Sequence, residues 1–393
     1  MAITLARRAE QFEASITREL LTVGERPGMR SLAGGLPDPA SFPTTRIEAA
    51  VQAILRTPAR AERALQYAPT DGLPELRRVL SSTPMVQRVA GASADEFVVT
   101  TGSQQAVHLL ASVLADRGDT VVVDDPCYLG ARQVFNAAGA RLVGIPVDHA
   151  GLRVDVLGDR LRAGLRPRYL YTVPAFQNPS GSVLSAERGA ELVELARRYN
   201  FLVIEDDAYG ALGFDVAPPP ALGGAAPDVV VTLGTTSKVI APGLRVGWLR
   251  APVEVRAAVV RTKQAIDLHT SSFSQLIVAE LLADVEFLGE HLERTRCRYA
   301  SRATALADAL TVDGISFAAP SGGLFLWARL DGVDTAELLP RALSNNVMFV
   351  PGSAFAVDQS WHEHARLSFA TLAEPALRAA AHELIRLAGL DSG

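Results

Sequence analysis

Hydrophobic and polar positions follow two rhythms through the middle of the chain. Short, nearly continuous apolar runs rich in Val, Ile, Leu and Tyr mark strands at Phe97–Thr101, Thr120–Asp124, Arg141–Pro146, Tyr169–Val173, Phe201–Asp206, Val229–Leu233 and Leu244–Leu249. Between them, Gln104–Ala115, Gly130–Ala138, Ala186–Asn200 and Pro252–Ala265 carry the apolar spacing of amphipathic helices. Strands without alternation are buried on both faces, and helices interleaved with them supply the cover. The pattern therefore predicts an α/β fold built on one seven-stranded, mostly parallel sheet.

From about residue 290 the rhythm changes. An Arg-rich helix (Glu290–Leu310), a strand at Gly323–Arg329, a helix at Thr335–Asn345, short strands at Val347–Val350 and Arg366–Phe369 and a last helix predict a smaller α+β domain. The expected division is a segment 1–45 that joins the small domain, a large domain over 46–285 and the small domain over 286–393.

Composition narrows the functional classes. The 393 residues hold 38 basic and 43 acidic side chains, a net charge of −5, which argues against a nucleic-acid partner. No run of 18 apolar residues is present, so no membrane span is expected. Cys127 and Cys297 are the only cysteines, too few for a disulfide framework and without zinc-site spacing, and a reducing, cytoplasmic setting is expected. The first residues, MAITLARRAEQFEAS, place acids where an export signal needs an apolar run. Lysine is scarce: of the 38 basic residues only Lys238 and Lys263 are lysine. Arginine stays a cation at neutral pH, whereas a lysine amine can lose its proton and attack a carbonyl, so lysine chemistry has two candidates. Lys263 falls inside a helix and is expected to be dispensable.

Four segments carry candidate chemistry. In Leu233–Trp248, Lys238 follows a strand, flanked by Thr235 and Ser237, with Arg245 seven residues on. An amine, two hydroxyls and a guanidinium suit a carbonyl cofactor that carries a phosphate. Thr100-Thr-Gly102-Ser103-Gln104-Gln105 joins a strand to a helix, where backbone N–H groups and the helix dipole favour an anion; it also reads as an ordinary turn with Ser103 as N-cap. The strand Phe201–Asp206 runs into three acids, Glu205, Asp206 and Asp207, at the end of a strand where α/β sheets gather their ligands. No His or second carboxylate cluster stands at a comparable strand end, which argues against a metal there. Pro174–Gly181, with Asn178, reads as a turn that presents an amide.

Taken in order, these segments resemble the pyridoxal-phosphate-dependent aminotransferases of fold type I, class I/II, and most closely the 2-aminoadipate aminotransferase group. The likeness also covers Ser31–Pro39, Leu65–Gly72, Asp125–Tyr128, Glu205–Tyr209 and Ala365–Phe369, nearly the whole chain. It implies pyridoxal 5′-phosphate bound as a Schiff base to Lys238, which then shuttles the proton between Cα and C4′. It places Asp206 at the pyridine nitrogen, Tyr209 and Asn178 at the phenolic oxygen and Tyr128 against the ring. Gly102, Ser103, Gln104, Thr235, Ser237 and Arg245 would hold the phosphate, with Tyr67 arriving from the second subunit of a homodimer with shared sites. Arg366, assisted by Asn178 and the backbone at Gly35, would clamp the α-carboxylate of an amino acid or 2-oxo acid. Ser15 and Arg18, on an amphipathic helix Phe12–Leu21, would lie over the substrate and meet its side chain. Asp125–Pro126 and Asn178–Pro179 are the expected cis peptides. The expected reaction moves an amino group to a 2-oxo acid, with 2-oxoglutarate and glutamate as one pair. A β-lyase, decarboxylase or oxidase outcome uses the same motifs. So would a non-catalytic effector domain of the kind fused to regulators, although no room for a winged-helix module precedes Gly34.

Overall fold

The computed structural model describes residues 26–83, 88 and 91–390; Ser15, Arg18 and the helix expected over Phe12–Leu21 lie outside them. The first strand, β1 (Arg30–Ser31), belongs to the far end of the chain and is described with it below. Then come β2 (Phe97–Thr100), β3 (Thr120–Asp125), β4 (Arg141–Asp148), β5 (Gly151–Leu152), β6 (Tyr169–Thr172), β7 (Leu202–Asp206), β8 (Val230–Thr235) and β9 (Gly247–Arg250). They form one sheet in the order β2-β9-β8-β7-β6-β3-β4-β5. Strands β8, β7, β6, β3 and β4 run parallel, while β9 is antiparallel to both β8 and β2.

The sheet thus has eight strands instead of the expected seven. The extra one, β5, is two residues long and pairs with β4 through a tight hairpin, too short to leave a pattern in the sequence. The last strand of this sheet in chain order, β9, also begins later than expected, at Gly247 instead of Leu244. Pro242–Leu244 form a 3-10 turn and Arg245 takes a left-handed conformation at φ 53°, which breaks strand geometry before the ladder starts.

Both faces of the sheet are buried. Val121 and Val123 pack into one apolar cluster and Val122 into another on the opposite face, which is why the strand reads as a continuous run. Helices Ser103–Leu114, Leu129–Ala138, Ala186–Tyr199 and Val253–Ile266 stand within a residue or so of their expected places. Helix Ser272–Ala283 is absent from the sequence expectations because eight of its twelve residues are buried, leaving little polar stripe to set a period.

A second, antiparallel sheet holds β10 (Ile315–Phe317), β11 (Phe325–Leu330), β13 (Val350–Pro351) and β14 (His364–Ser368) in the order β10-β11-β14-β13. Strand β12 (Val347–Met348) pairs in parallel with β1, which ties the segment after residue 26 to this later part of the chain. Helix Val285–Ala309, 25 residues long and capped by Asp284 accepting from the Phe287 N–H at 3.0 Å, packs against helix Glu374–Ala388. No helix among the described residues is long and apolar enough to cross a membrane.

Candidate active site

The carboxyl ends of the parallel strands β3, β6, β7 and β8 converge on a cavity of about 260 Å³, where open α/β sheets place their ligands. Its walls include Ser103, Gln104, Tyr128, Asn178, Asp206, Tyr209, Thr235, Ser237, Lys238 and Arg245. The cofactor residues expected from the sequence, Tyr67 excepted, are therefore brought together, with Gly102 adjoining. Leu36, Val173, Ala208 and Pro242 complete the lining and were not foreseen. Both expected X-Pro bonds, Asp125–Pro126 and Asn178–Pro179, are cis.

Strand alternation separates the three acids. The fully buried Glu205 accepts from the Leu222 and Gly223 N–H groups at 2.8 and 3.1 Å. Asp207 pairs with Arg88 at 2.7 Å. Asp206 alone faces the cavity. One of its oxygens, Oδ2, accepts from the Tyr171 hydroxyl at 2.7 Å, while the other, Oδ1, is buried with no partner. Burial raises its carboxyl to about 6, the Tyr171 hydrogen bond opposes this, Asp207 adds to it and Lys238 opposes it. Among the described residues, no group of three or more His, Cys, Asp or Glu could hold a metal ion.

Lys238 follows β8, and its Nζ donates to the Gly35 carbonyl at 2.8 Å. Burial lowers the ammonium to about 8, helped by the positive Arg366 and Arg245 and opposed by Asp206. The amine is therefore close to its neutral, nucleophilic form at mildly alkaline pH.

At one end of the cavity helix Ser103–Leu114 begins. Its N-cap is Gly102, not Ser103 as the turn reading had it; Ser103 is already helical, and no side chain caps the helix start. Gly102 sits at φ 77°, and a Cβ there would come within 2.4 Å of Arg245 Nη2, so only glycine admits the guanidinium this close. The Thr235 and Ser237 hydroxyls are hydrogen-bonded to each other at 3.0 Å. An uncapped helix start with two hydroxyls and an arginine is chemistry for a phosphate, and the unpartnered Asp206 oxygen is chemistry for a cationic ring nitrogen. The donor set fits pyridoxal phosphate.

Arg366, on β14, is 3% exposed, and no carboxylate among the described residues pairs with it. Its Nη1 donates to Asn178 Oδ1 at 2.9 Å and its Nη2 to the Ala33 carbonyl at 2.5 Å, while Nε has no partner. The guanidinium lies over the Phe325 ring at 4.3 Å. Burial lowers it to about 10, still a cation at neutral pH. Asn178 also donates through Nδ2 to the Tyr209 hydroxyl at 3.3 Å, linking the two ends of the site. The backbone at Gly35 reaches the site through its carbonyl, which meets Lys238, and it is the Ala33 carbonyl that accepts from Arg366. Tyr67 is 79% exposed in the single chain and lines no wall of the cavity, packing edge-on against His269.

Sequence reasoning missed Tyr171 and Phe325. The first had a signal, since a tyrosine inside a fully buried run usually finds a partner for its hydroxyl, although Tyr169 on the same strand has none. Phe325 had none, because which ring lies beneath Arg366 depends on how β11 and β14 are paired.

The family model of aminotransferase class I and II matches residues 34–384. The chain is 39% identical over 372 residues to the 2-aminoadipate transaminase of Thermus thermophilus, covering 93% of this chain and 91% of that protein. It is 35% identical to aromatic-amino-acid aminotransferase 1 of Thermococcus litoralis, covering 95% and 91%. Among solved structures, the alpha-aminoadipate aminotransferase of Thermus thermophilus, complexed with N-(5′-phosphopyridoxyl)-L-leucine, superposes with a TM-score of 0.89 at 37% identity, covering 98% and 97%. Fold, cavity chemistry and these likenesses agree, and the chain belongs to the class I and II aminotransferases, pyridoxal-phosphate-dependent enzymes of fold type I that transfer amino groups.

Proposed function

We propose that this enzyme transfers the amino group of an α-amino acid to a 2-oxo acid, with 2-oxoglutarate and glutamate as one of its pairs. The observation that carries the reading is the buried Arg366 guanidinium, unpaired with any carboxylate among the described residues and held by Asn178 beside the cavity that contains Lys238. A planar guanidinium matches a carboxylate through two parallel hydrogen bonds, and amino acids and 2-oxo acids share that group.

When bound, pyridoxal phosphate supplies the carbonyl that takes up nitrogen and the ring that accepts the electron pair released at Cα. Lys238 Nζ would hold the cofactor covalently, and as a free amine it would take the proton from the substrate Cα and deliver it to the cofactor carbon that receives the nitrogen. Asp206 Oδ1 keeps the ring nitrogen protonated by offering it a buried anion, since an ion pair favours both charged forms. Tyr209 and Asn178 orient the phenolic oxygen, Tyr128 covers the ring, and Ser103, Gln104, Thr235, Ser237 and Arg245 fix the phosphate. Arg366 sets the substrate by its carboxylate, so that the Cα–H bond points at Lys238.

Spectroscopic titration of the purified enzyme tests the reaction type. Each productive amino acid is expected to bleach the visible absorption of the bound cofactor, and 2-oxoglutarate to restore it with release of glutamate. Release of ammonia or carbon dioxide without glutamate would make the chain a lyase or decarboxylase instead.

Tyr67 belongs to the same proposal. With Leu65 76% exposed beside it, this apolar edge suits a self-complementary two-fold contact that brings Tyr67 to the phosphate of the partner's site. Light scattering is expected to show a homodimer, and Tyr67→Phe to weaken cofactor retention. An active monomer would remove Tyr67 from the site.

A further inference from the structure

The second of the two lysines is not a spare surface residue. Lys263 lies in helix Val253–Ile266 and is fully buried. Its Nζ donates to Asp267 Oδ1 at 2.8 Å, Asp267 Oδ2 at 2.9 Å, Gln105 Oε1 at 3.0 Å and Thr270 Oγ1 at 3.2 Å. Burying an ammonium costs desolvation that its pairing with the partly exposed Asp267 only offsets, and an apolar side chain would fill the same space at less cost. The reason to keep an ammonium here is sought in what its partners hold.

They hold one residue. Thr101 donates its N–H to Gln105 Oε1 at 2.7 Å and its hydroxyl to Asp267 Oδ2 at 2.9 Å. Its hydroxyl also meets Thr270 Oγ1 at 3.2 Å, and its carbonyl accepts from Arg245 Nη2 at 3.3 Å. Gln105 is fastened in turn, donating Nε2 to Asp267 Oδ2 at 2.6 Å. Thr101 immediately precedes Gly102, the N-cap whose N–H meets the Thr100 carbonyl, and then Ser103 and Gln104, the first residues of the uncapped helix at the cavity. The N–H and hydroxyl of Thr101 are thus held from behind the cavity by Gln105, Asp267 and Thr270, while its carbonyl meets Arg245 on the cavity side.

We propose that Lys263, Asp267 and Gln105 form a positioning cluster that sets the Thr101–Gln104 turn in its phosphate-binding shape before the cofactor arrives. The inference rests on the proposed phosphate site and extends it to residues that touch no part of the cofactor. A pre-set anion site loses less conformational freedom on binding, so loosening it weakens the phosphate contact specifically.

The test compares binding of pyridoxal phosphate with binding of pyridoxal, which lacks the phosphate, to the cofactor-stripped full chain. Thr101→Val, Asp267→Asn and Lys263→Met are each expected to weaken pyridoxal phosphate by about tenfold or more, a usual effect of losing an outer hydrogen-bond partner, and to change pyridoxal by less than about twofold. Thr101→Val removes one hydroxyl at constant shape and carries the test where Lys263→Met fails to fold. Equal weakening of both ligands would reduce the cluster to structural support and overturn the proposal, as would unchanged pyridoxal phosphate affinity in a folded variant. The phosphate site itself would fall on a different result: unmutated protein that binds the two ligands equally well.

Discussion

Replacing Lys238 by Ala is expected to abolish turnover, with a loss of at least about 10⁴-fold, and to leave the cofactor removable by dialysis. Two functions vanish together. On the proposed reading the side chain is the covalent anchor and its amine the base that moves the Cα proton, a role worth about 10²–10⁴ in rate by itself. The surroundings show why no other group substitutes. Burial and two arginines hold the Lys238 ammonium at about 8, whereas Lys263 is locked to Asp267 beneath the phosphate turn. Borohydride reduction followed by peptide mapping is expected to find the cofactor on the peptide that contains Lys238. A modified peptide containing Lys263 would reverse the assignment.

Asp206→Asn is expected to reduce turnover by about 10²–10³-fold while leaving the melting temperature nearly unchanged. The amide keeps the size of the carboxylate and its contact with the Tyr171 hydroxyl, but it removes the negative charge whose Oδ1 is otherwise unpartnered in the cavity. The neighbouring Asp207→Asn makes the opposite pattern. It breaks the pair with Arg88, where both side chains are mostly buried, and leaves a cation without its partner. That variant is expected to lose on the order of 3 kcal/mol of stability with turnover changed by less than about tenfold. Thermal unfolding and steady-state rates on the two proteins separate the roles. If Asp207→Asn is the catalytically damaging change, the alternation along β7 has been misassigned.

The legible part of the site is the part built from local order. Lys238, Thr235, Ser237 and Arg245 sit within one strand and the turn after it, and their spacing brings them to one cavity. The acid triplet at the end of the strand was legible as a whole, but alternation alone leaves either Asp206 or the pair Glu205 and Asp207 facing the site, and it was the resemblance that singled out Asp206. The cofactor turn was legible as a strand-to-helix junction, although its cap proved to be Gly102 and not Ser103. The two-residue strand β5 and the buried helix Ser272–Ala283 escaped because one is shorter than a pattern and the other has almost no polar face.

By itself, the sequence determined the α/β class, the strands that form the large sheet, the lysine available for imine chemistry and the acid, hydroxyls and arginines around it. The class and strands follow from periodicity and the lysine from its ionisation, properties of a few neighbouring residues, while the choice of Asp206 and Arg366 came from the resemblance. Only the tertiary structure decided which distant groups meet: Arg366 with Asn178 and Ala33, Asp206 with Tyr171, Lys238 with Gly35, and Lys263 with the turn at Thr101. Those pairings join groups far apart in the chain, up to 333 positions for Arg366 and Ala33, and no local rhythm encodes them. They arise because most buried polar groups pair once the sheet and helices close over them, and which partner is within reach is set by the packing of the whole chain.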